Sequence, residues 1–407
     1  MNTLRYSKTD SRLVFFFVLS LLFSGSNVYA LAYPILKVGV VLGYFCIFYR
    51  TPFSANHFRS NIAVQFSLLL IFVWLIFAIL SSMVQASVDM ISLSFRYTAY
   101  LFVFLLISFS KKDMSHLFYK WYCKIFYVIA LSSFISFMLN ILNITPMVEL
   151  VSQGERVYFS TFFNIVMSDS VVTLNGFSFY RFQSIFEEPG TFAFLLLPVI
   201  YWYRTVEYNR FKFISLMFML LWTLSIGAMF TAIITLFLYS AIKHRLYSIP
   251  IFVSFVVIFI LSLGLFPEFQ NFLAYKFGVG KFEGQHSSFG ARILEISYVS
   301  ETLSSRLLGV GFSGANILSV FGNSVSVGLF RQVIYSGAIG GVAIIALNLF
   351  LGIYSIKSMR STNNRSIFIG FTLLTFIFMG LQRSTFIDGF MAVTLFSFLL
   401  RFNVFEK

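Results

Sequence analysis

From Ile62 to Leu80 the chain carries no charged side chain, and apolar runs of this kind recur along almost its whole length. A helix needs about 20 apolar residues to cross the hydrocarbon core of a bilayer. In water every such run would have to be buried on all sides, and one chain has no room to bury so many. Composition settles the choice of solvent. The chain is 58% hydrophobic and 11% charged, against about 25% charged residues in an ordinary soluble domain. The expected fold class is all-α, a polytopic integral membrane protein.

We read about twelve transmembrane spans, with several shorter than the ideal length. They lie near residues 13–28, 32–49, 62–80, 91–109 and 122–142, then 189–203, 213–226, 228–242 and 249–266, and finally 332–354, 367–381 and 389–400. The chain then divides into residues 1–142 (spans one to five), 143–188 (a first large outer loop), 189–266 (spans six to nine), 267–331 (a second large outer loop) and 332–407 (spans ten to twelve and the C-terminal end).

The positive-inside rule tests this layout. With the N-terminus in the cytoplasm, most of the 29 basic residues fall on the inner side, among them Lys111, Lys112, Lys120, Arg210, Lys212 and Lys243, while of 15 acids only Asp10, Asp113, Glu207 and Glu406 do. The alternation places both termini in the cytoplasm. The +14 net charge therefore reads as loop anchoring against anionic lipid and gives no reason to expect nucleic acid. Val28-Tyr29-Ala30 is similar to a signal-peptide cleavage site, but an uncleaved first span is the preferred reading because so many spans follow. Cys46 and Cys123 fall near the inner ends of spans, which disfavours a disulfide.

Polar chemistry gathers in the two outer loops. The first ends in Tyr180-Arg181-Phe182-Gln183-Ser184-Ile185-Phe186-Glu187-Glu188-Pro189-Gly190-Thr191. Pro189 has no amide hydrogen and biases Glu188 away from helix, so a helix is expected to begin at Pro189. Glu187 and Glu188 then cap its positive end or form the floor of a reaction site. Upstream, residues 157–166 form a piece too short to span, either an interfacial helix or a solvated loop. The second loop runs through a Gly-rich stretch containing His286 into Gly290-Ala291-Arg292-Ile293-Leu294-Glu295-Ile296, read as a helix with Arg292 near its start. It closes on Leu308-Gly309-Val310-Gly311-Phe312, where the glycine pair is better read as a turn than as a phosphate cradle. Gly337-Ala338-Ile339-Gly340-Gly341 follows, and its small residues suit close helix packing.

Arg181, Arg292, Arg331 and Arg383 are all read as lying on the outer face at or near span ends, against the inward trend of basic residues. Guanidinium forks suit pyrophosphate, and ion pairs with the outer acids are the competing use. No HExxH, DxD, Walker or GxSxG pattern occurs, so metal chemistry has little support.

The stretch from Arg181 to Ala193 resembles the RF.G.F.EP…A signature of bacterial O-antigen polymerases of the Wzy type. Leu308-Gly309-Val310-Gly311-Phe312 with Gly337-Ala338-Ile339-Gly340 is similar to their lG.G…G.iG region, and Arg292 falls where their large outer loop carries an Arg. The resemblance implies a GT-C-like glycosyltransferase in the inner membrane of a Gram-negative bacterium, working without a metal or other cofactor. Its substrate would be an undecaprenyl-pyrophosphate-linked oligosaccharide, its surroundings membrane lipid, and a chain-length regulator protein a possible partner. The growing polysaccharide would pass from undecaprenyl pyrophosphate to a fresh lipid-linked repeat unit on the periplasmic face. On this resemblance Arg181 and Arg292 bind and stabilise the pyrophosphate leaving group, and Glu187 or Glu188 orients or deprotonates the acceptor hydroxyl. Arg331 and Arg383 are secondary phosphate contacts, with His286 a further substrate contact or substitute base.

The alternatives are an O-antigen ligase or other undecaprenyl-sugar transferase, and a lipid-linked oligosaccharide flippase. The ligase pattern has an SR and an HN where this chain has Ser225-Ile226-Gly227 and Gly322-Asn323-Ser324. A flippase calls for matched halves or charges within the spans, and neither is evident.

Overall fold

The computed structural model describes residues 8–25, 35–50, 61–87, 89–110, 112–145, 147–153, 156–161, 164–168, 171–174, 177–243, 288–382, 385 and 389–402. The expected span at 249–266, His286 and Arg383 lie outside these residues. What is described is mostly helical. In chain order come α1 (Lys8–Gly25), α2 (Ile35–Arg50), α3 (Ile62–Val84), α4 (Met90–Ser108) and α5 (Lys112–Ile141), then α6 (Pro189–Thr205), α7 (Arg210–Trp222) and α8 (Ile226–Ile242). Beyond residue 287 follow α9 (Ser288–Ser305), α10 (Gly314–Phe321), α11 (Gly328–Arg360), α12 (Asn364–Gly380) and α13 (Phe390–Arg401). Among the described residues four helices are long and apolar enough to cross a membrane, namely α3, α4, α5 and α11, and α8, α12, α13 and the Val38–Ile47 part of α2 are shorter apolar helices.

The distribution of side chains fits a lipid solvent. On α3, Phe66, Leu69, Phe72, Ile76, Leu80 and Met83 recur three or four residues apart and are all exposed, while Ala63, Val64, Ser67, Ile71, Trp74, Leu75, Ala78, Ser81 and Ser82 face inward. A helix whose exposed stripe is as apolar as its inward face is unlike a soluble amphipathic helix, and the small and hydroxyl residues on the inward face suit helix association in a bilayer. The inner helices differ. Nearly every residue of α6 is buried, as are most of α12 and of α13, and a helix apolar on all sides belongs in the middle of a bundle. α6 packs on α5, α7, α8 and α12, and α12 packs in turn on α11 and α13.

The segment read as the first outer loop, residues 143–188, departs from expectation. The described residues of 157–166 form no helix. β1 (Val148–Gln153), β2 (Arg156–Thr161) and β3 (Asn164–Met167) make an antiparallel sheet in the order β1-β2-β3, and β4 (Val171–Leu174) pairs with β5 (Phe177–Tyr180) as a hairpin. Arg156-Val157-Tyr158-Phe159-Ser160-Thr161 is rich in β-branched and aromatic residues, which fit a pleated surface better than a helical one. Tyr158, Ile165 and Met167 close a small core of their own.

α11 also departs from a plain span. Gly337 has φ 74° and ψ −164°, so the helix is broken into residues 328–336 and 338–360. The carbonyls left without helical partners are taken by the Gly309–Gly311 segment, with Val310 N donating to Ile334 O (3.0 Å) and Gly311 N to Tyr335 O (3.2 Å). Ala338 N, freed on the far side of the break, donates to Arg306 O at 2.9 Å. Gly309 N and Phe312 N donate to the hydroxyls of Ser81 and Ser82 at 2.9 and 2.7 Å. The glycine pair is therefore a turn whose amides are used by the protein, and it splices the broken helix to α3. The backbone groups freed by the break are thus satisfied within the protein, as irregular backbone in an apolar surrounding requires.

Candidate functional site

The stretch between β5 and α6 is held down by its apolar members. Phe182, Ile185 and Phe186 are 0 to 1% exposed, and Phe182 and Phe186 join Phe126, Phe137 and Phe192 in one aromatic cluster. Backbone bonds fix the rest: Phe182 N donates to Trp222 O (3.1 Å), and Ser184 O accepts from Ile165 N (2.7 Å). Ser184, at φ 54°, shares a hydroxyl bond of 2.8 Å with Ser133. A non-glycine residue in the left-handed region is held there only by surroundings that over-determine it. Gln183 braces the stretch from within, its Nε2 donating to Phe186 O (3.0 Å) and Glu187 O (3.3 Å). Arg181, Glu187 and Glu188 are left half-buried.

α6 begins at Pro189 as expected, with Glu188 in the extended cap position (φ −138°, ψ 138°). The Glu188 side chain makes no capping hydrogen bond, so the acid sits beside the positive end of α6 without closing it.

Arg181 reaches across to the turn between α7 and α8. Its Nε donates to Thr223 O and its Nη2 to Leu224 O, each at 3.0 Å. Leu224 has φ 47°, a second left-handed non-glycine residue, and its carbonyl is one of the two Arg181 holds. α8 starts immediately afterwards from Ser225, which caps it without a side-chain bond. Its first amides therefore keep the partial positive charge of a helix N-terminus.

Arg292 approaches the same turn from α9. It sits in the first turns of α9, as the sequence implied, and its Nη2 donates to Gln382 O at 3.2 Å. Gln382 lies against the head of α8: its Nε2 is 3.4 Å from Gly227 O, and a Cβ added at Gly227 would run into Gln382 Oε1. No hydrogen-bond partner among the described residues reaches the buried Arg292 Nε. Burial lowers the Arg292 pKa from its ordinary value and the nearby Glu295 carboxylate opposes that. The two arginines, more than a hundred positions apart in sequence, thus converge on the head of one helix.

Arg331 lies half-buried in the first turn of α11, and Glu295 ties that turn to α9. Glu295 is 2% exposed, and it accepts from Ser326 N (2.7 Å), Ser326 Oγ (2.7 Å) and Val327 N (2.9 Å). A carboxylate with both oxygens engaged at a helix start is a cap, not a proton acceptor. Glu295→Ala should cost about 3 kcal/mol. Thermal unfolding of the detergent-solubilised protein checks this, with Glu295→Gln expected midway between Ala and wild type. An Ala variant melting with wild type would remove the capping role.

Sequence reasoning missed two members of this arrangement. Gln382 and Glu295 link the arginines to the scaffold, yet neither stands in a motif, and only their partners in space give them a role. Among the described residues no group of three or more His, Cys, Asp or Glu is placed to hold a metal ion. Compared with known proteins, the chain matches no family model and no curated protein.

Proposed function

We propose that the chain is a membrane glycosyltransferase of the O-antigen polymerase kind, passing a growing glycan from undecaprenyl pyrophosphate to a lipid-linked repeat unit. The observation that carries this reading is the convergence of Arg181 and Arg292 on the residue 222–227 turn at the head of α8. Two guanidinium groups beside a helix N-terminus suit a pyrophosphate. Glu187 and Glu188, a few residues from Arg181, supply carboxylates for the acceptor.

The acceptor hydroxyl attacks the anomeric carbon of the donor sugar and gives its proton to Glu187 or Glu188. The bond from that carbon to the pyrophosphate oxygen breaks, and undecaprenyl pyrophosphate departs with the electron pair. Negative charge grows on the leaving oxygen, and fixed guanidinium groups stabilise it without reorganising. Arg331 and, by the resemblance, Arg383 and His286 are assigned to the surrounding substrate contacts.

The polysaccharide ladder from cells lacking the gene tests the reading. Loss of long chains with retention of lipid A-core bearing one repeat unit is the expected result, because transport and ligation continue. Loss of the single-unit band as well would favour the flippase or ligase, and an unchanged ladder would remove the O-antigen reading.

A further inference from the structure

Away from that site, α1 and α5 lie side by side and leave a groove between them. Phe15, Leu19 and Phe23 line one wall at every fourth position, and Ile125, Val128 and Ile129 line the other. Its volume of about 440 Å³ is within the range of roughly 300 to 1,000 Å³ seen for small-molecule sites. A second cavity of about 460 Å³, walled by Ser11, Arg12, Phe15, Phe16 and Trp121, adjoins it along Phe15 and Trp121. The walls reach the outer surface of the bundle, where Phe16 is 62% and Val128 56% exposed.

The charge is confined to one end. Trp121 Nε1 donates to Ser11 Oγ at 3.1 Å, and Lys124 Nζ stands 5.2 Å from the centre of the Trp121 ring. Arg12, next to Ser11, therefore shares that end with Lys124, and both side chains are exposed. Among the described residues no acid lines either cavity, and Asp10, in the first turn of α1, is outside both linings. Two cations and an indole at the head of an apolar channel form the pattern of a lipid–water boundary: the tryptophan sits at headgroup level and the long basic side chains extend toward the headgroups.

We propose that this groove binds an anionic phospholipid of the surrounding bilayer, with its phosphate between Arg12 and Lys124 and an acyl chain along Phe15, Leu19, Phe23 and Val128. The site is separate from the proposed glycosyl-transfer site and does not depend on that reading. The occupant follows from charge: a zwitterionic lipid gains nothing net from two cations without a facing acid, whereas an anionic headgroup gains from each.

The test uses the full-length protein with Trp222→Phe, so that Trp121 is the partly exposed indole while Trp74 and Trp202 stay buried. It is reconstituted in phosphatidylcholine vesicles containing a small fraction of brominated-chain phosphatidylglycerol or, in parallel, brominated-chain phosphatidylcholine. Brominated phosphatidylglycerol is expected to quench more strongly at equal fraction. Arg12→Gln with Lys124→Gln should reduce its relative affinity about thirtyfold, Lys124→Gln alone should give an intermediate loss, and Arg12→Lys with Lys124→Arg should keep the preference. Equal quenching by the two lipids overturns the proposal, as does a preference that survives the double Gln variant. Displacement by a polyprenyl phosphate but not by unbrominated phosphatidylglycerol also overturns it, since the occupant would then be a different lipid.

Discussion

Arg181→Ala should abolish long-chain polysaccharide while leaving the protein in the membrane at close to its normal level. The first half of that expectation follows from the proposed role. Loss of a fixed positive donor at a developing oxyanion costs about 2.7 to 4 kcal/mol, or roughly a hundred- to a thousandfold in rate, and a ladder made by repeated transfer would collapse to its first rungs. The second half follows from how the stretch is held. Phe182, Ile185 and Phe186 remain buried, Phe182 N still donates to Trp222 O, and Ser184 still meets Ser133 and Ile165. A purely structural role for Arg181 makes a different forecast. In that case its work ends at the carbonyls of Thr223 and Leu224, and activity should fall only as far as membrane level falls. Arg181→Lys separates the two. A single ammonium presents no planar fork, so it cannot hold the turn and grip a pyrophosphate in the same geometry. Protein level close to wild type with a short ladder supports the catalytic assignment. A full ladder from either variant would end it.

The membrane character of the chain and the start of α6 were legible because each rests on a local rule. Apolar runs report on solvent wherever they occur, and Pro189 marks a helix start through its missing amide hydrogen and fixed φ. The helix carrying Arg292 was legible for a similar reason, its apolar positions recurring with helical spacing. Other features depend on partners distant in sequence. α5 begins at Lys112, well ahead of the apolar run at 122–142, because Leu117, Phe118 and Tyr119 are buried against other helices. Arg401, counted as an inner-side loop charge from sequence, is fully buried, with its Nε donating to Ser110 O at 2.7 Å. The strands of the first outer loop alternate over too few residues to outweigh a helical reading of an apolar stretch. Within the site, Arg181 and Glu188 could be singled out as charges beside a predicted helix start. Gln382 could not, since an uncharged side chain at the end of a span gives no signal until Gly227 and Arg292 are seen against it.

Gly337→Ala should be among the most damaging single-methyl changes in the chain, for a reason the sequence reading of close helix packing did not contain. With φ 74° and ψ −164°, position 337 occupies a region that residues with a Cβ adopt only under strain. The new methyl would also come within 2.5 Å of Gly309 N and Leu308 C and 2.6 Å of Leu307 O. All three are backbone atoms, so no rotamer change relieves the clash. Nor can the segment retreat, because Gly309 N and Phe312 N are bound to Ser81 and Ser82, and Val310 and Gly311 to the carbonyls exposed by the break. Strain and overpacking together should cost about 4 kcal/mol, a large part of the roughly 5 to 15 kcal/mol that holds an ordinary domain. Gly309→Ala should fail in the same way, since its Cβ would meet Ile334 O at 2.2 Å from the opposite side of the same splice. Gly314 is the internal control: it lies at the start of α10, and an added Cβ there meets nothing within 4 Å. Membrane level and thermal stability of the three variants, compared by size-exclusion of the detergent-solubilised protein, decide the matter. Loss at 337 and 309 with Gly314→Ala unaffected means that α11 is two helices joined by a fixed break, with the first segment carrying Arg331. Equal stability of all three would mean that α11 runs through position 337 as one continuous helix.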